Sequence, residues 1–292
     1  MKFTLTGSLG NITRPMAELL VQAGHQVTVI SSKEDKKEEI ESLGAKAVIG
    51  SMEDAGFLAG AFKGADGIYT MVPPNFNVSD YRAYIAGIGR NFAQAIRESG
   101  VTRVVNLSSV GAHLDGGTGP IAGLHDVEHI LNGLEGVAVK HLRAAFFYVN
   151  FLGNIDMIRH MGIIGGNYGP NTSLVLVHPT DIAAAAAQEF QQGFSGKSYR
   201  YIASDERRLE EVASVLGKAI GKPDLQWVEF TDEQAFDGMK QAGLSDPIAN
   251  TYIEMGSAMR KGLLFEDYLK NKPPYAGKVK LEDFAVEFQG KY

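Results

Sequence analysis

Apolar residues recur along this chain with two alternating spacings. Phe3-Thr4-Leu5 is a short run of strand length, and Ile12, Met16, Leu19, Leu20 and Ala23 then follow the i, i+4, i+7, i+8 spacing of one helix face. Val27-Thr28-Val29-Ile30 predicts a second strand, Ala47-Val48-Ile49 a third, Gly67 to Val72 a fourth, Arg103 to Ser109 a fifth and Val137 to Arg143 a sixth. Between the fourth and fifth, Tyr81, Ile85, Ile88, Phe92 and Ile96 mark one face of a helix that Ser79 is expected to cap. The charged stretch Glu34 to Ser42 predicts a helix whose polar face is solvated. Regular strand–helix alternation predicts an α/β fold, a doubly wound parallel sheet of Rossmann type.

Beyond residue 155 the alternation loosens. Ile163 to Asn167 and Tyr199 to Ala203 read as short strands, and Thr180 with Asp181 is expected to cap an alanine-rich helix from Ile182 to Phe190. A helix from Leu209, a strand at Gln226 to Phe230, and helices over Glu233 to Ala242 and Pro247 to Leu263 complete a smaller, mainly helical lobe. The expected division is residues 1–155 for the Rossmann domain and 156–292 for a substrate lobe interleaved with the end of the sheet.

The first strand and first helix are joined by Thr6-Gly7-Ser8-Leu9-Gly10-Asn11-Ile12-Thr13. A turn of this kind brings unpaired N–H groups and the positive end of a helix dipole together, which suits a pyrophosphate. Gly7 and Gly10, lacking Cβ, permit close approach to the main chain. Strand, glycine turn, helix and second strand together form a dinucleotide-binding βαβ unit. Ser31-Ser32-Lys33 ends the second strand, where an acid would bind the ribose 2′-hydroxyl of NAD(H), whereas hydroxyls and a cation suit the 2′-phosphate of NADP(H). NADP(H) is therefore the expected cofactor and NAD(H) the less favoured one. Ser51 and Met52, after Gly50, are placed at the adenine edge; Met71, Val72 and Pro73, where two prolines stop the fourth strand, face the ribose or substrate.

With 292 residues and 45% of them hydrophobic, the chain can bury a large core. It has no cysteine, which excludes disulfides and thiolate chemistry and is compatible with a reducing compartment. Met1-Lys2 leads straight into a strand and no segment approaches the roughly 20 apolar residues of a membrane span, so a cytoplasmic location is expected, without membrane association. A net charge of −6 and a pI near 5.7 weigh against direct nucleic-acid binding.

The fifth strand delivers Ser108 and Ser109 at its carboxyl end, where ligands of open α/β sheets lie, and the glycine-rich loop Gly111 to Gly123 beyond it can close over a substrate. On the next helix, His125 and His129 stand four apart with Glu128 beside them. Metal is not expected there, because the H-E-x-x-H pattern and a third ligand are missing. His125 is instead the residue at the expected catalytic positions of this helix able to exchange a proton near neutral pH.

His125-x-x-Glu128-x-x-Leu131, Leu142-Arg143, and Phe147 with Asn150 resemble the H-x-x-x-E-x-x-L, L-R-P and F-x-x-N stretch of NmrA-like proteins, with the glutamate one residue earlier and Ala144 in place of proline. The glycine turn resembles the T-G-x-x-G-x-x-G fingerprint of extended and atypical short-chain dehydrogenases/reductases, except that Thr13 replaces the third glycine, which implies a slightly wider helix–strand contact. The resemblance covers most of residues 1–230. It implies cofactor contacts from Gly7, Leu9, Gly10, Asn11 and Ile12, from Ser31, Ser32 and Lys33, from Ser51 and Met52, and from Met71, Val72, Pro73, Ser108 and Phe146. His125 and Ser108 are the catalytic candidates, and Phe147 and Asn150 the substrate contacts. The Tyr-x-x-x-Lys pair of short-chain dehydrogenases occurs only at Tyr268 and Lys272, far from the expected helix. Two functions follow: an NADPH-dependent reductase of a quinone or other small molecule, or a catalytically inactive redox sensor acting through a protein partner.

Overall fold

A computed structural model describes residues 1–273 and 277–292. The chain begins β1 (Lys2–Leu5), α1 (Thr13–Gln22), β2 (Gln26–Ser31), α2 (Lys37–Ser42), β3 (Lys46–Ile49), α3 (Ala55–Phe62), β4 (Gly67–Thr70), α4 (Tyr81–Ser99), β5 (Arg103–Ser109), α5 (Ile121–Asn132) and β6 (Ala138–Ala144). It continues through β7 (Phe146–Phe147), α6 (Ile155–Met161), β8 (Ile164–Gly166), β9 (Ser173–Val177), α7 (Pro179–Gln192), β10 (Lys197–Ile202) and β11 (Asp205–Arg208). The last elements are α8 (Leu209–Ala219), β12 (Trp227–Glu229), α9 (Asp232–Gln241), α10 (Asp246–Arg260), α11 (Glu266–Lys270) and α12 (Leu281–Lys291).

Seven parallel strands form the main sheet in the order β10-β6-β5-β4-β1-β2-β3. The order reverses between β1 and β4, which is the switch point of a Rossmann sheet. α3, α4 and α5 cover one face over Ile68, Phe92, Val104 and Val139; the other face, under α1 and α7, buries Phe3, Leu5, Met16 and Phe190. Both faces are dry, which is why the strands read as apolar runs rather than alternating ones. Downstream of β6, β10 joins the main sheet as its edge strand. A β11-β9-β7 sheet and a β8-β12 pair lie outside it. No described helix is long and apolar enough to cross a membrane.

Three helix starts differ from the sequence expectation. α4 is capped by Asp80, not Ser79: the Asp80 carboxylate accepts the Ala83 N–H at 2.9 Å, reaching the third residue of the helix as capping requires. α7 begins at Pro179 behind His178, whose Nδ1 accepts the Thr180 N–H. Asp181 instead accepts from the Ser204 hydroxyl and the Lys278 and Val279 N–H groups, anchoring the C-terminal segment to α7. The charged helix after β2 opens as a 3₁₀ turn at Glu34–Lys36 before α2.

Candidate functional site

The glycine turn, the end of β2 and the end of β4 meet. Thr6 is buried, donates its N–H to the Tyr69 carbonyl at 3.1 Å and accepts the Met71 N–H on its hydroxyl at 3.0 Å. Gly7 has φ +97°, and a Cβ there would lie 2.8 Å from Thr13 Oγ1 and 3.1 Å from Met71 Cγ. Ser8 follows at φ +53°, alone among described non-glycine residues in that region, and is held there by its N–H to the Ile30 carbonyl at 3.0 Å and its hydroxyl to Ser31 at 2.9 Å. The two hydrogen bonds tie this strained residue of the glycine turn to the end of β2. The first turn of α1 carries no acidic residue that would compete with an anion. Thr13 is accommodated by donating its buried hydroxyl to the Thr6 carbonyl at 2.9 Å, which ties β1 to α1. Leu9 is half-buried against the core, Ile12 is buried, and Gly10 and Asn11 are exposed.

At the end of β2 the expected residues divide. Ser31 is 2% exposed, and its hydroxyl accepts both the Ser8 hydroxyl and the Lys33 N–H, so it builds the turn. Ser32 and Lys33 are exposed beside it. Arg14, on α1, and Lys36 both bond Glu39, at 2.6 and 2.8 Å, adding cations that the sequence reading did not single out. These residues fit a dinucleotide carrying an extra phosphate: the end of β2 holds hydroxyls and a cation, and no acid. Ser51 accepts the Glu53 N–H, and the half-buried Met52 offers its carbonyl to Asn91. Met71 packs against the Gly7 turn, Val72 is half-buried, and the Pro73 carbonyl accepts from Tyr84.

Ser108 does not lie free at the end of β5. It is 3% exposed and donates to Glu128 Oε1 at 2.5 Å. Arg143, directly across the ladder on β6, binds both Glu128 oxygens, Nε to Oε1 at 3.0 Å and Nη2 to Oε2 at 2.8 Å. Its Nη1 reaches the Tyr201 hydroxyl and Asp267 of α11, and its guanidinium lies 4.1 Å from the Tyr199 ring centre. Burial alone raises the Glu128 carboxyl, but the bidentate bond and charge of Arg143 outweigh it and hold the group below the usual range. The motif residues Glu128 and Arg143 are thus partners in one buried ion pair. Ser109 is the half-exposed hydroxyl at this strand end.

Two rungs below, Thr70 donates to Asn106, whose amide meets His141 Nδ1 at 3.1 Å; His141 Nε2 faces Asn132 Oδ1 at 3.0 Å. Burial lowers the His141 imidazole to about 4, so it is neutral at pH 7. The sign follows: the unfolded histidine takes up a proton near 6.5 and the folded one does not. Stability is therefore complete above about pH 6.5 and falls by about 3 kcal/mol on acidification to pH 4. Chemical denaturation of His141→Gln across that range is expected to show a flatter pH dependence than the unmodified chain, and equal slopes would refute the assignment.

His125 is half-buried and donates from Nδ1 to the Ala112 carbonyl at 2.9 Å. Its ring lies 4.2 Å from that of His129, tilted by 36°, and His129 Nδ1 donates to the His125 carbonyl at 3.1 Å. The glycine loop is ordered by successive turns, Ala112 N–H to the Ser109 carbonyl and Leu114 N–H to the Gly111 carbonyl. Its far end docks on α10, where the Gly119 N–H donates to Glu254. His113 lies within these turns, a titratable residue that sequence reasoning passed over although it stands in the glycine loop four residues after Ser109. Phe146 and Phe147 form β7 beside the β6 end, both half-buried, and Asn150 is exposed in the 3₁₀ turn that follows. Tyr268 and Lys272 both bond Glu206 on β11, and the Tyr268 ring packs 5.5 Å from that of Tyr201, so the pair lies on the C-terminal segment and not on α5.

The profile of the NAD(P)H-binding family matches residues 7–144, the span from the glycine turn to the end of β6. No curated protein sequence matches the chain. Among solved structures, an NADPH-dependent quinone oxidoreductase from Escherichia coli, complexed with NADPH, is 21% identical over 98% of this chain and 99% of its own, with a TM-score of 0.83. Triphenylmethane reductase from Citrobacter sp., complexed with NADP(H), is 20% identical over 98% of this chain and 99% of its own, with a TM-score of 0.80. A nucleoside-diphosphate-sugar epimerase from Staphylococcus aureus is 16% identical over 98% of this chain and 100% of its own, with a TM-score of 0.81. The N-terminal half thus carries the NAD(P)H-binding pattern on the Rossmann-type fold of these proteins, and the NmrA-like resemblance is consistent with both.

Proposed function

We propose that the chain is an NADPH-dependent oxidoreductase that reduces a quinone or another readily reduced small molecule. The observation that carries this is the meeting of the Gly7-Ser8 turn with a β2 end that offers Ser32 and Lys33 and no acid, inside a span that matches the NAD(P)H-binding family. Bound NADPH supplies the hydride. The protein's part is to hold the dinucleotide along the switch point and to position a substrate over the end of β5, beside Ser109, the glycine loop and Phe147 to Asn150. α5 carries no Tyr-x-x-x-Lys pair, which favours substrates that accept hydride with little acid assistance. The quinone and triphenylmethane reductases of the same fold support an enzyme over the sensor alternative. A cytoplasmic setting suits a chain without cysteine.

The test is NADPH consumption by the purified protein with a panel of quinones, followed at 340 nm. Turnover with at least one quinone and slower turnover with NADH is the expected result; NADPH binding without turnover of any acceptor would overturn the reductase reading. In the same assay Lys33→Ala should weaken NADPH binding about fivefold relative to NADH, the scale of one partly solvated charged contact. Equal losses for both cofactors would remove Lys33 from the 2′-phosphate site.

A further inference from the structure

We propose that His113, presented at the end of β5 by the overlapping turns Ser109–Ala112 and Gly111–Leu114, is the residue that exchanges a proton with the substrate, and that His125 positions it. The inference rests on the reductase reading above. Neither ring nitrogen of His113 has a hydrogen-bond partner among the described residues. Nδ1 is sealed from solvent while the residue is half-exposed, which leaves the Nε2 edge to meet a ligand. A sealed, unpartnered polar atom is costly, so the loop holds this ring in place against its own hydration. His125 is differently employed. Its Nδ1–H grips the carbonyl of Ala112, the peptide group that leads directly into His113, and Ala112 is itself buried. Gly111 fixes the other side of the hinge: at φ +84°, a Cβ there would lie 2.8 Å from Leu264 Cδ2.

The charged groups around the His113 ring come from the elements packed against the loop: Arg143 on β6, Glu128 on α5, and Glu266 and Asp267 on α11. Burial outweighs the acids and lowers the imidazole below its ordinary range. It is therefore neutral at pH 7.5 and takes up its proton at a lower pH than an ordinary imidazole. The step balances. A quinone takes two electrons and one hydrogen as hydride, the dihydronicotinamide being oxidised, and the second hydrogen arrives as a proton. The N–H bond of the His113 imidazolium breaks, an O–H bond of the hydroquinone forms, and solvent reprotonates the ring.

Turnover under saturating NADPH and quinone is expected to rise as the pH falls from 7.5 to below 6.5. His113→Asn, which keeps a polar side chain without a titration, should lose that rise and at least about tenfold in turnover at pH 6, the lower end of acid catalysis. His125→Ala should lower turnover at every pH and keep the rise, as befits a positioning residue. A readout independent of turnover is the long-range ¹H–¹⁵N spectrum of the seven histidine rings, with the His113 resonances identified by their loss in His113→Asn. Hydroquinone added with NADP⁺ should shift those resonances. Turnover whose pH rise survives in His113→Asn, or His113 resonances unmoved by bound hydroquinone, overturns the assignment alone. NADPH binding without turnover of any quinone overturns the reductase reading and this assignment with it.

Discussion

Gly10→Val is expected to abolish NADPH binding, by at least about a hundredfold in Kd, while leaving the fold intact. The two glycines of the turn differ in what they report. Gly7 sits at φ +97° with Thr13 and Met71 against the place of its missing Cβ, so any substitution there strains the protein itself. Gly10 is exposed, its φ lies outside the left-handed region, and its added Cβ would meet only the Gly7 carbonyl, at 3.2 Å. A valine at position 10 therefore projects its methyl groups from the open side of the turn, over the start of α1, where a pyrophosphate would approach the main chain. Losing two or more phosphate contacts to backbone N–H groups, each charge-assisted and worth about 1.5–3 kcal/mol, accounts for a loss of this size. Calorimetric titration with NADPH, paired with a thermal melt, distinguishes the outcomes. Retained affinity in a protein with an unchanged Tm would place the phosphate site elsewhere.

Much of this site was legible because backbone geometry imposes residue types. Only glycine tolerates the position of Gly7, and the apolar runs of β1, β2, β4, β5 and β6 follow from burial on both faces of a parallel sheet. Both signals survive in a single sequence. Side-chain partnerships do not, because they depend on which strand lies beside which. Ser108 read as a free hydroxyl at a strand end, and only the β5–β6 register, which sets it opposite Arg143, shows that it belongs to the Glu128 network. That the Nδ1 of His125 is held by the Ala112 carbonyl follows from the path of the loop and could not be read from the spacing on α5. Asp267 enters the same network from 124 positions beyond Arg143, a separation that no local pattern encodes. The helix starts failed for a smaller reason: Ser79 and Asp80 are both good caps, and one residue of backbone phase decides between them.

Glu128→Ala is expected to cost about 3 kcal/mol of stability, lowering Tm by roughly 5 °C at pH 7. The side chains of Glu128 and Arg143 are only 6% and 9% exposed, so removing the acid strands a buried guanidinium that no pH below 12 can neutralise. Asp267 at 3.4 Å and Tyr201 at 3.3 Å still accept from Arg143, which keeps the loss at the lower end of the range for a broken buried pair. Arg143→Met added to Glu128→Leu should recover most of it, since the cost lies in the unpaired charge and not in the missing attraction. The pH dependence has a definite sign. The Glu128 carboxyl is held below its unfolded value, so its contribution is complete above about pH 4.3 and disappears as the pH falls through the folded value. The gap in Tm between the unmodified protein and Glu128→Ala should therefore stay constant from pH 7 to pH 5.5 and shrink below pH 4. The comparison belongs in a His141→Gln background, because the Glu128 charge itself raises the His141 imidazole against its burial and removing Glu128 would shift that titration as well. A loss under about 1 kcal/mol at pH 7, or a gap that persists undiminished at pH 3, would mean that the Glu128–Arg143 pair does not hold β5, β6 and α5 together in the way its geometry indicates.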